Sequence, residues 1–472
     1  MFDTNNTPTA PLIADNRLKT SSTRNACKLC APLGASLVFK GIEGCVPLIH
    51  GSQGCSTYIR RYMISHYKEP VDIASTNFSE DSAVFGGGAN FFTGIENIIQ
   101  QYHPKVIGIA TTCLSETIGE DVPGLIRDYT EKYSDANTPE FINASTPSYC
   151  GTHINGFQEA CISAVAHYAQ KNKCQKHINL FPGFVSPADI RHLKEIVTDM
   201  NIDATIFPDY SQTLDNVHTN EYELIPSGGT PIKRLQMTGN ALATIEFGTV
   251  FNKGNSRKKS IHQVNSAGEW LEVNCDVPRK ALNLPIGIEA TDRFFQTLTQ
   301  LSGLETPAKY LTERGRLIDA YVDAHKYIFG KRVVLYGEED LVIALTIFLL
   351  EIGMKPVLVA SGATGGTIKK ALAPYLNEAD EPIIADSSDF ASIRELMKDL
   401  KADILIGNSK GYYISREFKI PLVRLGFPIH DRFGASRIHH IGYRGTQELF
   451  DRIVNTLIEY KQENSPVGYK YI

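Results

Sequence analysis

The sequence predicts an α/β protein with mostly parallel sheets, divided into about three domains. Three observations carry that expectation. The chain has 472 residues, too many for one ordinary core. Its hydrophobic share of 42% and charged share of 21% are those of a globular protein. Short apolar runs of strand length also alternate with longer helix-like stretches, the pattern of strands joined by crossover helices.

Taken in order, Lys105-Val-Ile-Gly-Ile-Ala110 reads as a fully apolar strand. The polar turn Thr111-Thr-Cys-Leu-Ser115 follows it, and then a helix from about 121 to 133. A second strand is His177-Ile-Asn-Leu-Phe181. The helix after it opens at Ser186-Pro-Ala-Asp189, with a hydroxyl cap and Pro at the first helical position. A third strand, Lys331-Arg-Val-Val-Leu-Tyr336, leads through an acidic turn to an apolar helix over 340–353. Gly353 ends that helix before the strand Lys355-Pro-Val-Leu-Val359. A later strand, Asp403-Ile-Leu-Ile406, runs into Gly407-Asn-Ser409, and the basic stretch 251–268 reads as an exposed loop. Domain boundaries near 175 and 310 give units of 1–175, 176–310 and 311–472.

Charge and hydropathy exclude several classes of function. A formal net charge of −5 and a pI of about 6.2 leave no basic field for nucleic acid or anionic lipid. The N-terminus, MFDTNNTPTAPLIADNRLKT, has no apolar segment of the signal-peptide kind. The longest apolar run, Leu341 to Leu350, is roughly half of a bilayer span. A cytoplasmic protein with neither a membrane nor a nucleic-acid partner is expected. Gly86-Gly-Gly88 lacks the Lys-Ser/Thr ending of a phosphate loop, and Ser361-Gly-Ala-Thr-Gly-Gly-Thr367 fails the same pattern. No spacing supports a hydrolytic triad or paired carboxylates, so no catalytic residue is assigned.

The cysteines are uneven. Of nine, six (Cys27, Cys30, Cys45, Cys55, Cys113 and Cys150) lie in the first third. In a reducing compartment such crowding points to metal rather than disulfides. Thiolates suit iron–sulfur clusters because soft sulfur matches iron in a sulfide lattice. Cys30, Cys55 and Cys113 are too far apart for a ferredoxin run, and three ligands are one short of a four-iron cluster on one chain. A partner chain would supply the rest, with the cluster at the interface. Gly34, Gly51 and Gly54 would let backbone approach such a core. Spacing alone leaves cluster ligand and structural cysteine both open at these positions. Cys161 and Cys174 read as core filling. Ser52 and Gln53 read either as cluster-side donors or as turn formers. His439 and His440, with no acidic neighbour in sequence, read as surface residues rather than metal ligands.

Longer motifs carry a family resemblance. Cys30-Ala-Pro-Leu-Gly-Ala35, Pro47-Leu-Ile-His-Gly-Ser-Gln-Gly-Cys55, Thr111-Thr-Cys-Leu-Ser-Glu-Thr117 and Gly407-Asn-Ser409 resemble the β-type subunits of nitrogenase component 1. So do Ser79-Glu-Asp-Ser-Ala-Val-Phe-Gly-Gly87, Thr146-Pro-Ser148 and Pro421-Leu-Val-Arg-Leu-Gly-Phe-Pro428, in order from about residue 24 onward. The resemblance implies three Rossmann-like domains, an α-type partner in an α2β2 heterotetramer, and electron delivery by an ATP-dependent iron protein. It places Gly86–Gly88 in a turn near the face on which that iron protein docks.

Carried over by position, Cys30, Cys55 and Cys113 are the metal-ligand candidates. Ser148 matches a position that can ligate the eight-iron cluster of the catalytic branch, while Cys27 and Cys45 have no counterpart. The shared cluster is therefore expected to be of the 4Fe-4S or the 8Fe P-cluster type. Leu114-Ser-Glu-Thr117, Arg314-Gly-Arg-Leu-Ile-Asp-Ala320 and Gly442-Tyr-Arg-Gly445 resemble the N subunit of the scaffold that matures the iron–molybdenum cofactor. On that reading the α-like E subunit is the partner and mainly holds the cofactor precursor. The alternative is the β subunit of nitrogenase or of a nitrogenase-like reductase.

Overall fold

The structure, a computed structural model, describes residues 25–133, 138–250, 262–377 and 381–468. Three sheets follow one another along the chain, and every strand pairing within them is parallel. The first comprises β1 (Cys45–His50), β2 (Ala74–Ser75), β3 (Val106–Thr111) and β4 (Glu140–Ala144), in the order β2-β1-β3-β4. The second comprises β5 (Ile178–Phe181), β6 (Ala204–Ile206), β7 (Ala243–Phe247) and β8 (Arg279–Leu282), in the order β6-β5-β7-β8. The third comprises β9 (Arg332–Gly337), β10 (Lys355–Ser361), β11 (Ile383–Ala385), β12 (Ile404–Gly407) and β13 (Leu422–Arg424), in the order β11-β10-β9-β12-β13. Parallel strands must be joined by crossovers, so helices cover both faces and the central strands are apolar throughout. β1, β3 and β5 accordingly have no exposed residue.

The expected α/β class with mostly parallel sheets is thus what the chain forms. The strands expected at 105–110, 177–181, 331–336, 355–359 and 403–406 appear as β3, β5, β9, β10 and β12, each within two residues at either end. Ser186 caps the helix Pro187–Asp199 in a reciprocal capping box with Asp189. Gly353 takes a φ of +77° just past the helix Glu339–Glu351, the left-handed step that a Cβ would strain. The loop expected over 251–268 differs in part. Residues 251–261 lie outside the described residues, and Ser266 already caps the helix Ala267–Cys275 by accepting from Glu269 N–H.

One packing feature governs the site. The wholly buried helix Ala31–Lys40 crosses the helix His153–Tyr168 at backbone contact. A Cβ on Gly34 would lie 1.8 Å from the carbonyl oxygen of His153, and one on Gly156 would lie 1.9 Å from that of Ala31. Only two glycines let the helices approach so closely. Gly34 was expected to face a cluster; it serves this crossing instead. Gly51 is likewise taken up by packing, since a Cβ there would meet Thr112 Oγ1 at 2.2 Å. Of the three glycines, only Gly54 is open, with nothing nearer than 3.6 Å.

Candidate functional site

Strand ends and helix starts place the three thiols. β1 ends at His50, Ser52 caps the helix Gln53–Tyr67, and Cys55 lies in that helix's first turn. β3 ends at Thr111, and Cys113 is the first residue of the short helix Cys113–Thr117. Cys30 is the N-cap residue of the helix Ala31–Lys40. All three are exposed, each at a helix N-terminus, where the peptide dipoles favour negative charge on a side chain. The carboxyl edge of a parallel sheet is where such folds collect their chemistry.

Hydrogen bonds tie these starts together. Ala31 N–H donates to Ser148 Oγ at 3.1 Å, and Ser148 N–H donates to Cys113 Sγ at 3.2 Å. Ser148, on the loop after β4, therefore links the Cys30 helix to Cys113. Thr112 and Ser115 form a capping box, and Thr112 Oγ1 also donates to the His50 carbonyl at 3.1 Å. This joins the turn after β3 to the end of β1. The carboxylate of Glu116 accepts from Thr111 Oγ1 and from Ser145 Oγ, each at 2.6 Å, bracing the loops after β3 and β4.

The thiols also sense one another electrostatically. Burial pushes the Cys55 thiol up, and the neighbouring Cys30 and Cys113 push it further, since each would repel a thiolate there. Among the described residues, no three His, Cys, Asp or Glu side chains close on a single metal ion. The arrangement does fit a polynuclear group, in which each thiolate holds a different iron and stands apart from the next. The outward exposure of all three thiols leaves room for further ligands from another chain.

Cys27 and Cys45 behave differently. Cys27 is buried; its N–H donates to the Ser388 carbonyl and its carbonyl accepts from Gly362 N–H, so it packs on the third sheet. Cys45 is buried within β1. Burial pushes both thiols up to about 12, the behaviour of inert core sulfur. Ser52 accepts from Gly54 N–H at 3.3 Å, the turn-forming role, while the Gln53 carbonyl accepts from Ser56 and Thr57. Cys161 is buried, in keeping with core filling, whereas Cys174 is exposed, which overturns the core-filling reading there.

The surface reading of His439 and His440 is overturned. They are 8% and 6% exposed. His440 Nδ1 stands 2.9 Å from Asp189 Oδ2, and the ring of His439 packs edge-on against His192. The acidic partner exists, about 250 residues away in sequence, where adjacency could not reveal it.

Three residues near the thiols escaped sequence reasoning. Buried His153 accepts from Leu29 N–H through Nδ1, and burial, then the Lys410 charge, pushes its imidazole down to about 3. Glu120 stands 3.4 Å from His50 Nε2 and accepts from Gly87 N–H at 2.7 Å, tying the glycine turn to the end of β1. Lys410 reaches the Cys30 segment from the third sheet. Each acts through a partner remote in sequence, so no spacing carried the signal.

Fold and site together define a parallel α/β protein that gathers thiols at the carboxyl edge of one sheet. A model of the nitrogenase component 1 type oxidoreductases matches residues 30–458, and this chain belongs to that family. It is 38% identical over 439 residues to the nitrogenase molybdenum-iron protein beta chain of Clostridium pasteurianum, covering 92% of this chain and 93% of that one. It is 34% identical to the nitrogenase vanadium-iron protein beta chain of Trichormus variabilis, covering 96% and 98%. Among solved structures, a chain of nitrogenase Cp1 at pH 6.5 superposes with a TM-score of 0.89 at 36% identity, covering 96% of this chain and 97% of that one. A chain of Cp1 at pH 5, at 15% identity and a TM-score of 0.69, shares the fold. No described helix is long and apolar enough to cross a membrane.

Proposed function

We propose that this chain is the β-type half of a nitrogenase-type heteromer and holds one face of an iron–sulfur cluster shared with an α-type subunit. The observation that carries this reading is the grouping of three exposed thiols, each at a helix N-terminus: Ser148 links the Cys30 helix to Cys113, and Cys30 and Cys113 both act on Cys55. Cys30, Cys55 and Cys113 are the ligands this chain contributes. Ser148 Oγ, already held by Ala31 N–H, adds an oxygen donor to these three sulfurs. When bound, the cluster supplies one-electron storage and transfer. This chain's part is to fix the thiolates on rigid helix starts and to favour their negative charge with the dipoles behind them.

Of the two branches, the catalytic β subunit has the better support. A full complement of three thiols with a hydroxyl at Ser148 suits the larger eight-iron cluster, and relatives of both the molybdenum and the vanadium type align over more than nine-tenths of the chain. Electrons from an ATP-dependent iron protein would pass through the interface to a cofactor in the α-type partner of an α2β2 assembly. Val84 and Phe85, 75% and 86% exposed beside the glycine turn, offer an apolar contact for that iron protein. The scaffold reading rests on segments that this fold uses as joints. Arg314 holds Asp292 by a two-pronged ion pair, Tyr443 donates to the same carboxylate at 2.6 Å, and Glu116 braces two loops. Such roles serve either branch.

The test is anaerobic copurification with the α-type partner, followed by substrate reduction with a cognate iron protein. Dinitrogen reduction by the purified complex is expected. Release of a molybdenum-containing cofactor without turnover would establish the scaffold instead, and an iron-free complex would overturn both readings.

A further inference from the structure

Among the described residues, the side chain of Lys410 has no carboxylate partner. It sits on the short 3-10 turn Ser409–Gly411 that follows β12, at the carboxyl edge of the third sheet. From there it is half-buried and turns toward the first sheet. Its ammonium donates to the Ala26 carbonyl at 3.0 Å, four residues before Cys30. It also lies 5.8 Å from the centre of the Tyr62 ring, two helical turns beyond Cys55 on the same helix. One cation thus touches both the segment that ends in Cys30 and the helix that carries Cys55.

Burial pushes this ammonium down, and the groups that oppose that push are Cys27 and Cys30, in so far as they carry thiolate charge; no carboxylate among the described residues joins them. Cys27 is buried and its thiol is pushed up to about 12, so it stays neutral and neutralises nothing. A partly buried cation without an anion is costly, and proteins rarely keep one unless something absent supplies the charge. Several cations of this chain are paired: Arg424 with Asp431, Arg279 with Glu246, Lys194 with Asp209. Lys410 differs from these three, and the carbonyl it holds lies four residues before Cys30.

We propose that Lys410 is an electrostatic positioning residue for the cluster site: its ammonium is the fixed counter-charge to the Cys30 thiolate and the anionic group that thiolate holds, and it raises the reduction potential of that group. This rests on the cluster reading above. The physics is Coulombic. A fixed positive charge in a poorly solvated joint favours the more reduced, more negative state. Because the charge is delivered from the third sheet, it also couples the placement of that sheet to the potential at the edge of the first.

The experiment uses the anaerobic complex with its α-type partner, comparing the native chain with Lys410→Met and Lys410→Arg. Iron content, EPR and the midpoint potential of the cluster are read by redox titration, without any turnover assay. Lys410→Met is expected to retain iron and shift the oxidised-to-reduced ratio at fixed potential about tenfold toward oxidised, a negative shift of about 59 mV for a one-electron couple. Lys410→Arg, which keeps the charge, is expected to stay near the native value. An unchanged potential in Lys410→Met overturns the proposal while leaving the cluster reading intact. A native complex without iron overturns the cluster reading itself. If Lys410→Met folds by circular dichroism but loads no iron while Lys410→Arg loads normally, the charge is required for holding the group, and the proposal stands. Equal loss of iron in both variants marks the side chain as a mere strut, and the proposal falls.

Discussion

Two strand-to-helix turns in this molecule share one construction and serve opposite ends. After β3, Thr112 and Ser115 form a reciprocal capping box, and Cys113 within it is left exposed. After β5, Ser186 and Asp189 form the same box, but Asp189 is wholly buried. The second turn receives another part of the chain. Asp189 Oδ1 accepts from the backbone N–H groups of His440 and Ile441 at 3.0 and 3.3 Å, and Ser186 Oγ donates to the Ile438 carbonyl at 2.6 Å. Nearby, Glu195 gathers Arg444, Lys309 and His192. One edge turns its carboxylates to partners inside the chain and becomes a joint. The other leaves three thiols facing outward. A site for something outside the chain is recognised by what it leaves unanswered.

If that contrast is right, damage to the joint should unfold the protein, and damage to the thiol edge should not. The largest effect is expected for Asp189→Ala, which strips a buried carboxylate from its several donors and leaves His440 unpaired. A loss of about 3–5 kcal/mol is expected in urea unfolding of the apo chain. A loss under 1 kcal/mol would show the joint to be unimportant. Next comes Gly34→Ala, whose methyl would collide with the His153 carbonyl across the helix crossing. A cost of about 1–3 kcal/mol is expected, together with faster alkylation of Cys30 as its helix start loosens.

Acid should weaken the joint selectively. Burial, then the charges of His439 and Arg444, push the His192 imidazole down to about 4. An imidazole depressed in the folded state prefers to be neutral there, so stability is fully present above the unfolded value of about 6.5 and is lost as pH falls from there toward 4. Between pH 7 and pH 5 the loss is on the order of 2 kcal/mol. The His192→Gln variant should flatten that slope in urea titrations at several pH values. Glu195, held near 2 by Lys309, Arg444 and His192 despite partial burial, acts later. Its contribution is present above the ordinary carboxylate range and is lost only at lower pH. The smallest effect on folding is expected for Cys55→Ala, within about 0.5 kcal/mol, as for an exposed position without structural partners. The same variant should lose cluster iron and weaken the heteromer, whereas Cys161→Ala should leave iron content and EPR signal unchanged. Unaltered iron in Cys55→Ala would remove that residue from the ligand set.

How much was legible follows from the range of each signal. β3, β5 and β9 were readable because a fully buried parallel strand is a continuous apolar run. The Ser186 cap and the Gly353 stop were readable because their physics lies within a few residues. β1 was missed: Pro47 lies inside it, and proline argues against a central strand. The fold tolerates it because β2 pairs with β1 only at Leu48 and Ile49, so Pro47 has a neighbour on one side alone. The roles of Gly34, His440 and Lys410 were illegible for one shared reason. Their partners lie roughly 120, 250 and 380 residues away, at His153, Asp189 and Ala26, and only the folded chain brings them together. The cysteines were found as candidates because their residue type announces a chemistry even when spacing does not.

The crossing at Gly34 and Gly156 has one more implication. Two backbones in direct contact leave no side chains between them to repack, so the starts of both helices shift together or not at all. Cys30, the Ser148 loop and Cys113 are fastened to that crossing and behave as one stiff bracket. In the proposed redox role, such a mount would leave little to rearrange at each electron exchange.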